Sequence, residues 1–363
     1  NIKDIVPFDE ELWRVFKRTQ IIDKGGMRLD AIPAFIAEQL GTTDSLLVIC
    51  NLKKQAAYLF TEMKLENTVI FHLSAGMCMA HRMAVISEIN SALERKRKNP
   101  DAPKVVCIST QVIEAGVDVS FGCVIRLCAG LDSVIQAAGR CNRNGELNGA
   151  ADVFTINCRG EDLGMLRSIK DGKMACMSLL SDYKYHPEKY PSGLTSDEAV
   201  YAYYKKLYIQ SDIGAQDMPI KIDGSPFTLF DLLSLDRTFA NAPYLKANGE
   251  KYALTQAFKT AGSRFTVFGS RTTDVIVPYG EGKEIIVELG SKRAEEDIKY
   301  LKKLIKEARA YTVSLYANQR RALADSGALH SIADGIALAL SEEFYNEDFG
   351  LNLDGESREA ITL

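Results

Sequence analysis

Residues 136–143, QAAGRCNR, place Gln136, Arg140 and Arg143 shortly after an apolar run at 123–128. A guanidinium is a planar, permanently charged fork of N–H donors that matches the geometry of a phosphate. Two such groups beside a glutamine could stabilise the charge that spreads over a transferring phosphoryl group, the work of arginine fingers. On a short helix these three side chains stand three and four residues apart, about one turn, and share one face. The plain alternative is a solvated basic helix end.

Three upstream segments would have to position such a face. In ISTQVIEAGVDVSF (108–121), a strand at 104–109 ends at Thr110, a turn holds Gln111, Glu114 and Gly116, and Asp118 follows. Small and polar groups stand there where the backbone would meet a ligand. In LLVICNLKKQAAYLF (46–60), Asn51 caps the helix that follows a strand at 46–50, and such a helix end offers free N–H groups to an anion. Capping alone is the simpler reading of Asn51. In FHLSAGMCMAHR (71–82), Ser74 follows a third β-run, and His81 with Arg82 opens the next helix.

The surrounding pattern alternates strand and helix: helices at 29–40, 52–63 and 79–98, strands at 46–50, 68–73, 105–109, 123–128 and 152–157. Runs this apolar on both faces imply a buried parallel sheet. Ligands of such sheets gather beyond the carboxyl ends of the strands, where Asn51, Ser74 and Thr110 fall.

Taken together, the three blocks resemble motifs IV, V and VI of a superfamily 2 helicase, in its second RecA-like domain. HLSAGMC with the trailing AHR, STQVIEAGVDVSF and LDSVIQAAGRCNRNG are similar to the CRISPR-associated helicase-nuclease of type I interference systems, in which a motif V glutamate and a closing Asn-Arg pair recur together; here these are Glu114 and Asn142-Arg143. The resemblance covers residues 27–160. A weaker likeness at 274–290 and 310–319 points to the C-terminal region of the same family, in its C subtype.

The resemblance implies an α/β fold: a RecA-like parallel sheet flanked by helices, then linker helices and a small α+β C-terminal domain. It implies ATP shared with a first RecA-like domain, with Arg140, Arg143 and Gln136 at the phosphates. Gly116, Asp118 and Gly139 would lie on the nucleotide side. Asn51, Ser74, Thr110 and Gln111 would hold the backbone of single-stranded DNA. Implied partners are a nuclease domain and a first RecA-like domain of the same polypeptide and an RNA-guided surveillance complex, in the cytoplasm and away from any membrane.

A complete motor also needs a glycine-rich loop ending Gly-Lys-Ser/Thr, whose amides cradle phosphates while a hydroxyl holds Mg²⁺. The two Gly-Lys pairs, Gly172-Lys173 and Gly282-Lys283, are followed by Met174 and Glu284. The DEAV at 197–200 follows PSGLTS rather than a buried strand, so Ser196 reads as a helix N-cap with Asp197 and Glu198 in the first turn. No histidine precedes an aspartate, as an HD nuclease requires. The expectation is the C-terminal half of an engine, inactive alone, with Mg²⁺ held by the other half. A non-catalytic module that docks on a partner complex is the alternative.

Composition fits these classes. Of 363 residues, 46% are hydrophobic and 25% charged, with a net charge of −4, which neither favours nor excludes nucleic acid. The eight cysteines show no Cys-x-x-Cys, so the expectation is buried thiols and no metal. The basic run 95–98 reads as a solvated helix end. The expected divisions are a connector at 1–26, the RecA-like domain at 27–160, linker helices at 161–260 and an accessory domain at 261–363. Within them, helices are expected at 165–180, 197–208, 227–235 and 292–308, with Tyr201, Tyr203, Tyr204 and Tyr208 partly lining one side and packed in a core, base stacking on their rings being the alternative. Strands are expected at 264–268, 274–279, 284–289 and 312–316, with a hairpin tip at 280–283 and a buried element at 336–340.

Overall fold

The computed structural model describes residues 17–353 except 115, 148, 165, 211–217, 223–224, 234–256 and 266–271. Strands β1 (Thr19–Arg28), β2 (Ser45–Ile49), β3 (Thr68–Leu73), β4 (Lys104–Ser109), β5 (Cys123–Leu127) and β6 (Ala151–Arg159) form one sheet in the order β1-β6-β5-β2-β4-β3, every pair parallel. Period-two alternation assigns each apolar run to both faces at once. Leu46, Val48, Val106, Ile108 and Ile125 pack on one side, with Leu47, Ile49, Val105, Cys107 and Val124 on the other. Helices α1 (Ile32–Leu40) and α2 (Lys53–Glu62) cover the first face; α3 (Met79–Lys98) and α4 (Leu131–Ala138) cover the second. The expected RecA-like layering is present.

One strand of the sheet begins inside the expected connector. β1 runs from Thr19↔Ala151 to Arg28↔Arg159 along β6, with an irregularity between Asp23 and Gly26. It is an edge strand with partly exposed residues, and Gly25, at φ +69°, relieves the irregular step. Its weak alternation and glycine pair look like a break when read as sequence.

Beyond β6, helices α5 (Arg167–Tyr185) and α6 (Asp197–Gln210) pack on α4 through Leu131, Val134, Ala175, Cys176, Leu179 and Tyr203. Ser196 Oγ accepts from the Ala199 amide, the cap expected for the 197–200 segment. Tyr203 is core, but Tyr201, Tyr204 and Tyr208 are 71%, 38% and 54% exposed, contrary to the packing expected for all four. They lie on the opposite side of the helix from Ala199 and Tyr203. A hairpin of β7 (Pro219–Ile222) and β8 (Ser225–Thr228) leads into α7 (Leu229–Leu233); residues 234–235 of the helix expected there lie outside the described residues. Helix α8 (Phe258–Arg264) ends where a strand was expected; residues 266–268 of that stretch lie outside the described residues.

The last part holds a mixed sheet. Strands β9 (Thr273–Ile276), β10 (Thr312–Leu315), β11 (Leu329–Ile332) and β12 (Ala337–Leu340) are ordered β10-β9-β12-β11. The expected hairpin tip and strand at 280–289 are instead a turn and helix α9 (Gly282–Leu289), which buries Ile285 and Leu289, four residues apart. Gly282 is required by proximity, since a Cβ there would lie 2.5 Å from the Val277 carbonyl. The charged stretch at 292–308 is broken into α10 (Lys292–Glu296) and α11 (Ile298–Ala308) because Asp297 caps the second, accepting from Lys299 and Tyr300 amides. Helix α12 (Ala317–Asp325) and the short hairpin of β13 (Tyr345–Asn346) and β14 (Gly350–Leu351) complete it. Of the expected buried element, Ala339 and Leu340 are buried while Ile336 is exposed. The eight cysteines are buried free thiols. Among the described residues, no helix is long and apolar enough to cross a membrane.

Candidate functional site

Strands β2, β3 and β4 end side by side, and Asn51, Ser74, Thr110 and Gln111 follow them directly. Asn51 does not cap a helix. Leu52 occupies that position, its amide donating to Gln55 Oε1, and the Asn51 side chain turns inward. Its Oδ1 accepts from Arg126 Nη1 at 2.7 Å, and its Nδ2 donates to the Cys128 carbonyl at 3.0 Å and to Glu161 Oε1 at 2.9 Å. The side-chain amide is engaged within the fold and acts there as a strut.

That strut belongs to a buried polar network which sequence reasoning missed. Arg126, on β5, is 0% exposed; its Nη1 also donates to the Leu127 carbonyl, and its Nε lies 2.8 Å from Glu114 Oε1. Burial pushes the Glu114 carboxyl up and outweighs the adjacent guanidinium. Glu161 Oε2 accepts from Lys173 Nζ at 2.6 Å, extending the network to α5. A lone arginine inside the apolar run CVIRLC was the available signal, because a buried charge requires partners.

Ser74 Oγ accepts from the Gly76 amide at 3.2 Å and is buried. Thr110 is 3% exposed, and its Oγ1 has no hydrogen-bond partner among the described residues. Gln111 Nε2 donates to the Asn51 carbonyl at 3.3 Å. His81 is buried against the C-terminal part: its Nδ1 lies 3.0 Å from the Tyr345 hydroxyl, and its ring stacks on Tyr279 at 4.2 Å.

Nearby His72 is buried between Phe60 and Phe349, and that burial holds its imidazole down to about 4. Because the folded value lies below the ordinary one, the unfolded chain takes up a proton that the fold refuses, and stability falls as pH drops. Between pH 7 and pH 5 the loss from His72 is expected to reach about 2 kcal/mol. Chemical denaturation of wild type and His72→Gln across that range checks this; equal slopes would contradict it.

The arginines do not share a helical face. Helix α4 ends at Ala138, Gly139 caps it, Arg140 follows in a turn, and Asn142 takes φ +44° before Arg143. Gln136 remains exposed on the last helical turn. Arg140 is only 7% exposed and points into the 110–120 loop, its Nε donating to the Ile113 carbonyl at 3.0 Å and its Nη2 to the Glu114 carbonyl at 2.6 Å. Burial, reinforced by the Arg143 charge, holds its guanidinium below the ordinary value.

Arg143 faces outward. Its side chain is 42% exposed and pairs with Asp118, Nε to Oδ1 at 2.9 Å, at the far end of the same loop. Its amide donates to Ser120 Oγ at 3.1 Å. Gly116, at φ +73° within the loop, needs glycine for its backbone conformation, with open space where a Cβ would point. A cavity of about 770 Å³ opens at the amino ends of the strands, but of its cations, Lys96 and Arg97 are paired with Asp44 and Glu146, and Lys104 Nζ donates to the Leu40 carbonyl. It contains none of the sequence-derived site residues. Among the described residues no group of His, Cys, Asp and Glu is placed to hold a metal ion.

Loop 110–120, the turn after β3 and the 136–143 segment fall inside one matched region, since residues 42–146 fit the family model described as CRISPR-associated nuclease/helicase Cas3, C-terminal. This stretch is similar to the C-terminal region of Cas3-type proteins. A 54-residue segment is 56% identical to the CRISPR-associated nuclease/helicase Cas3 of Haloferax volcanii, covering 14% of this chain and 6% of that protein. A chain of a CRISPR RNA-guided surveillance complex in a pre-nicking state is similar in fold at TM-score 0.50 and 12% identity, over 90% of this chain and 41% of that one. T. fusca Cas3 with AMPPNP aligns at TM-score 0.39 and 15% identity, over 55% of this chain and 24% of that one. The chain thus spans a minor part of each of these relatives.

Proposed function

We propose that this chain is the second RecA-like half, with its accessory domain, of an ATP-dependent single-stranded DNA translocase serving CRISPR interference. The observation that carries this is the Arg140 clamp. One loop, residues 110–120, has the unpartnered Thr110 hydroxyl at one end and the Asp118–Arg143 pair at the other, and Arg140 grips its middle through the Ile113 and Glu114 carbonyls. Movement at the nucleotide end is therefore passed to the DNA end.

In this scheme a first RecA-like domain holds ATP and Mg²⁺, and the cleft between the two domains completes the site. Arg143 exchanges Asp118 for phosphate oxygens, and Gln136 senses them from the last turn of α4. Gly116 and Gly139 give the two turns their shape on the nucleotide side. Arg140 acts as the transmitting clamp rather than as a second finger, since its guanidinium is engaged with backbone carbonyls. Thr110 and the polar groups of Ser74 and Gln111 meet the backbone of one DNA strand. The chain alone would be inactive; the same polypeptide would supply the nuclease domain, and an RNA-guided surveillance complex would recruit it in the cytoplasm.

Binding of a labelled oligothymidylate to this chain tests the DNA end. Affinity is expected to fall steeply with salt, as counterion release requires. Thr110→Ala is expected to weaken it about tenfold, the worth of one hydrogen bond to a charged group, with little change in melting temperature. Unchanged affinity in the variant would make Thr110 a structural turn only. The alternative, a non-catalytic docking module, is favoured if the wild-type chain shows no salt-dependent binding.

A further inference from the structure

The 74–78 turn is held from outside its own domain. Tyr345, on β13, lies against it: the Cys78 amide donates to the Tyr345 hydroxyl at 3.0 Å, and that oxygen is 3.0 Å from His81 Nδ1. His81 Nε2 is 2.9 Å from the Glu347 carbonyl. Burial holds the His81 imidazole below its ordinary value and favours the neutral ring. In that form the phenol accepts from the amide and donates its own proton to Nδ1, and Nε2–H donates to the carbonyl.

The backbones also meet directly. The Leu351 amide donates to the Gly76 carbonyl at 2.8 Å. A Cβ on Gly350 would stand 2.4 Å from that same carbonyl oxygen, and one on Gly76 would stand 2.9 Å from the Phe349 carbonyl, so glycine is required on both sides. Phe349 packs edge-on against Phe60 at 5.6 Å and against His72 at 5.2 Å. Cys78 itself is buried in the accessory domain's core with Val275, Val277, Leu315 and Phe344. The turn is thus shared by two units of the chain.

We propose that the 345–351 hairpin is a built-in clamp that fixes the 74–78 turn in its DNA-gripping shape, with Tyr345 as the positioning residue that links the turn to His81. The clamp makes the accessory domain part of the motor's grip on DNA. Its effect on binding rests on the DNA reading of Ser74 given above.

The test uses the whole chain carrying Tyr345→Phe, which deletes one oxygen and leaves the ring. Amide exchange at Cys78 is expected to accelerate about tenfold, with Val48 in the central sheet unchanged. Oligothymidylate affinity is expected to fall about fivefold, and the salt slope to shrink by roughly 0.7, the loss of one single-strand phosphate contact. A merely structural role would lower melting temperature and leave that slope alone. His81→Gln, which removes the ring held by Tyr279 and Tyr345, is expected to act in the same direction and serves if the first variant folds poorly. Unchanged Cys78 exchange would overturn the clamp. Faster exchange with wild-type affinity and slope would overturn the positioning role. Absence of salt-dependent binding in the wild-type chain would instead refute the DNA reading, and this is seen before any variant is made.

Discussion

Glu114→Ala is expected to destabilise the chain by about 3–5 kcal/mol, because it leaves a charged guanidinium buried without its counter-ion. Arg126 has no exposure, and its Nε has Glu114 Oε1 at 2.8 Å. Its other hydrogen-bond acceptors are Asn51 Oδ1 and the Ile49 and Leu127 carbonyls, which carry no full negative charge. Desolvation is therefore uncompensated once the carboxylate is gone. For a domain of this size the melting temperature is expected to fall by roughly 10 °C. The Arg140 clamp uses the backbone carbonyl of residue 114, so the loop keeps that anchor in the variant. Thermal and denaturant unfolding of wild type, Glu114→Ala and Glu114→Gln would measure it. A loss below about 1 kcal/mol in the alanine variant would show that the pair contributes little, as exposed pairs do.

Much of the sheet was legible because its strands obey one rule. Runs such as LLVIC and VVCI are apolar at every position, and only a strand covered on both sides tolerates that. Edge elements were not legible. β1 mixes exposed and half-buried residues around a glycine pair, so its pairing with β6 is set by the sheet rather than by its own pattern. Residues 284–289, EIIVEL, hold a short apolar run at 285–287 that fits strand or helix equally; the close approach of Gly282 to Val277 and the burial of Ile285 with Leu289 decide for a helix.

The site divided in the same way. Arg140 and Arg143 both reach the 110–120 loop, the first through the Ile113 and Glu114 carbonyls and the second through Asp118. Spacing could not show that the helix ends at Ala138, because Gly139 and the positive φ of Asn142 redirect the chain, leaving the Arg140 guanidinium buried in the 110–120 loop and the Arg143 guanidinium exposed beside Asp118. Nor could it show that Asn51 is held by Arg126 and Glu161, residues 75 and 110 positions away. Long-range polar partners leave no local pattern. The 345–351 hairpin, docked on a turn some 270 residues earlier, is invisible for the same reason.

The central claim concerns Arg143, whose forked donors are half-exposed and held by an exposed aspartate that a phosphate could replace. An arginine finger contributes roughly a thousandfold or more to turnover, by meeting charge that develops on the transferring phosphoryl group. Lysine supplies a point charge without the fork and is not expected to substitute. The decisive measurement is DNA-stimulated ATP turnover by a polypeptide joining this chain to a first RecA-like domain, for wild type, Arg143→Ala and Arg143→Lys, alongside their melting temperatures. The expected result is a roughly thousandfold loss of turnover in Arg143→Ala, little recovery in Arg143→Lys, and melting temperatures close to wild type. Wild-type turnover in Arg143→Ala would contradict the assignment outright.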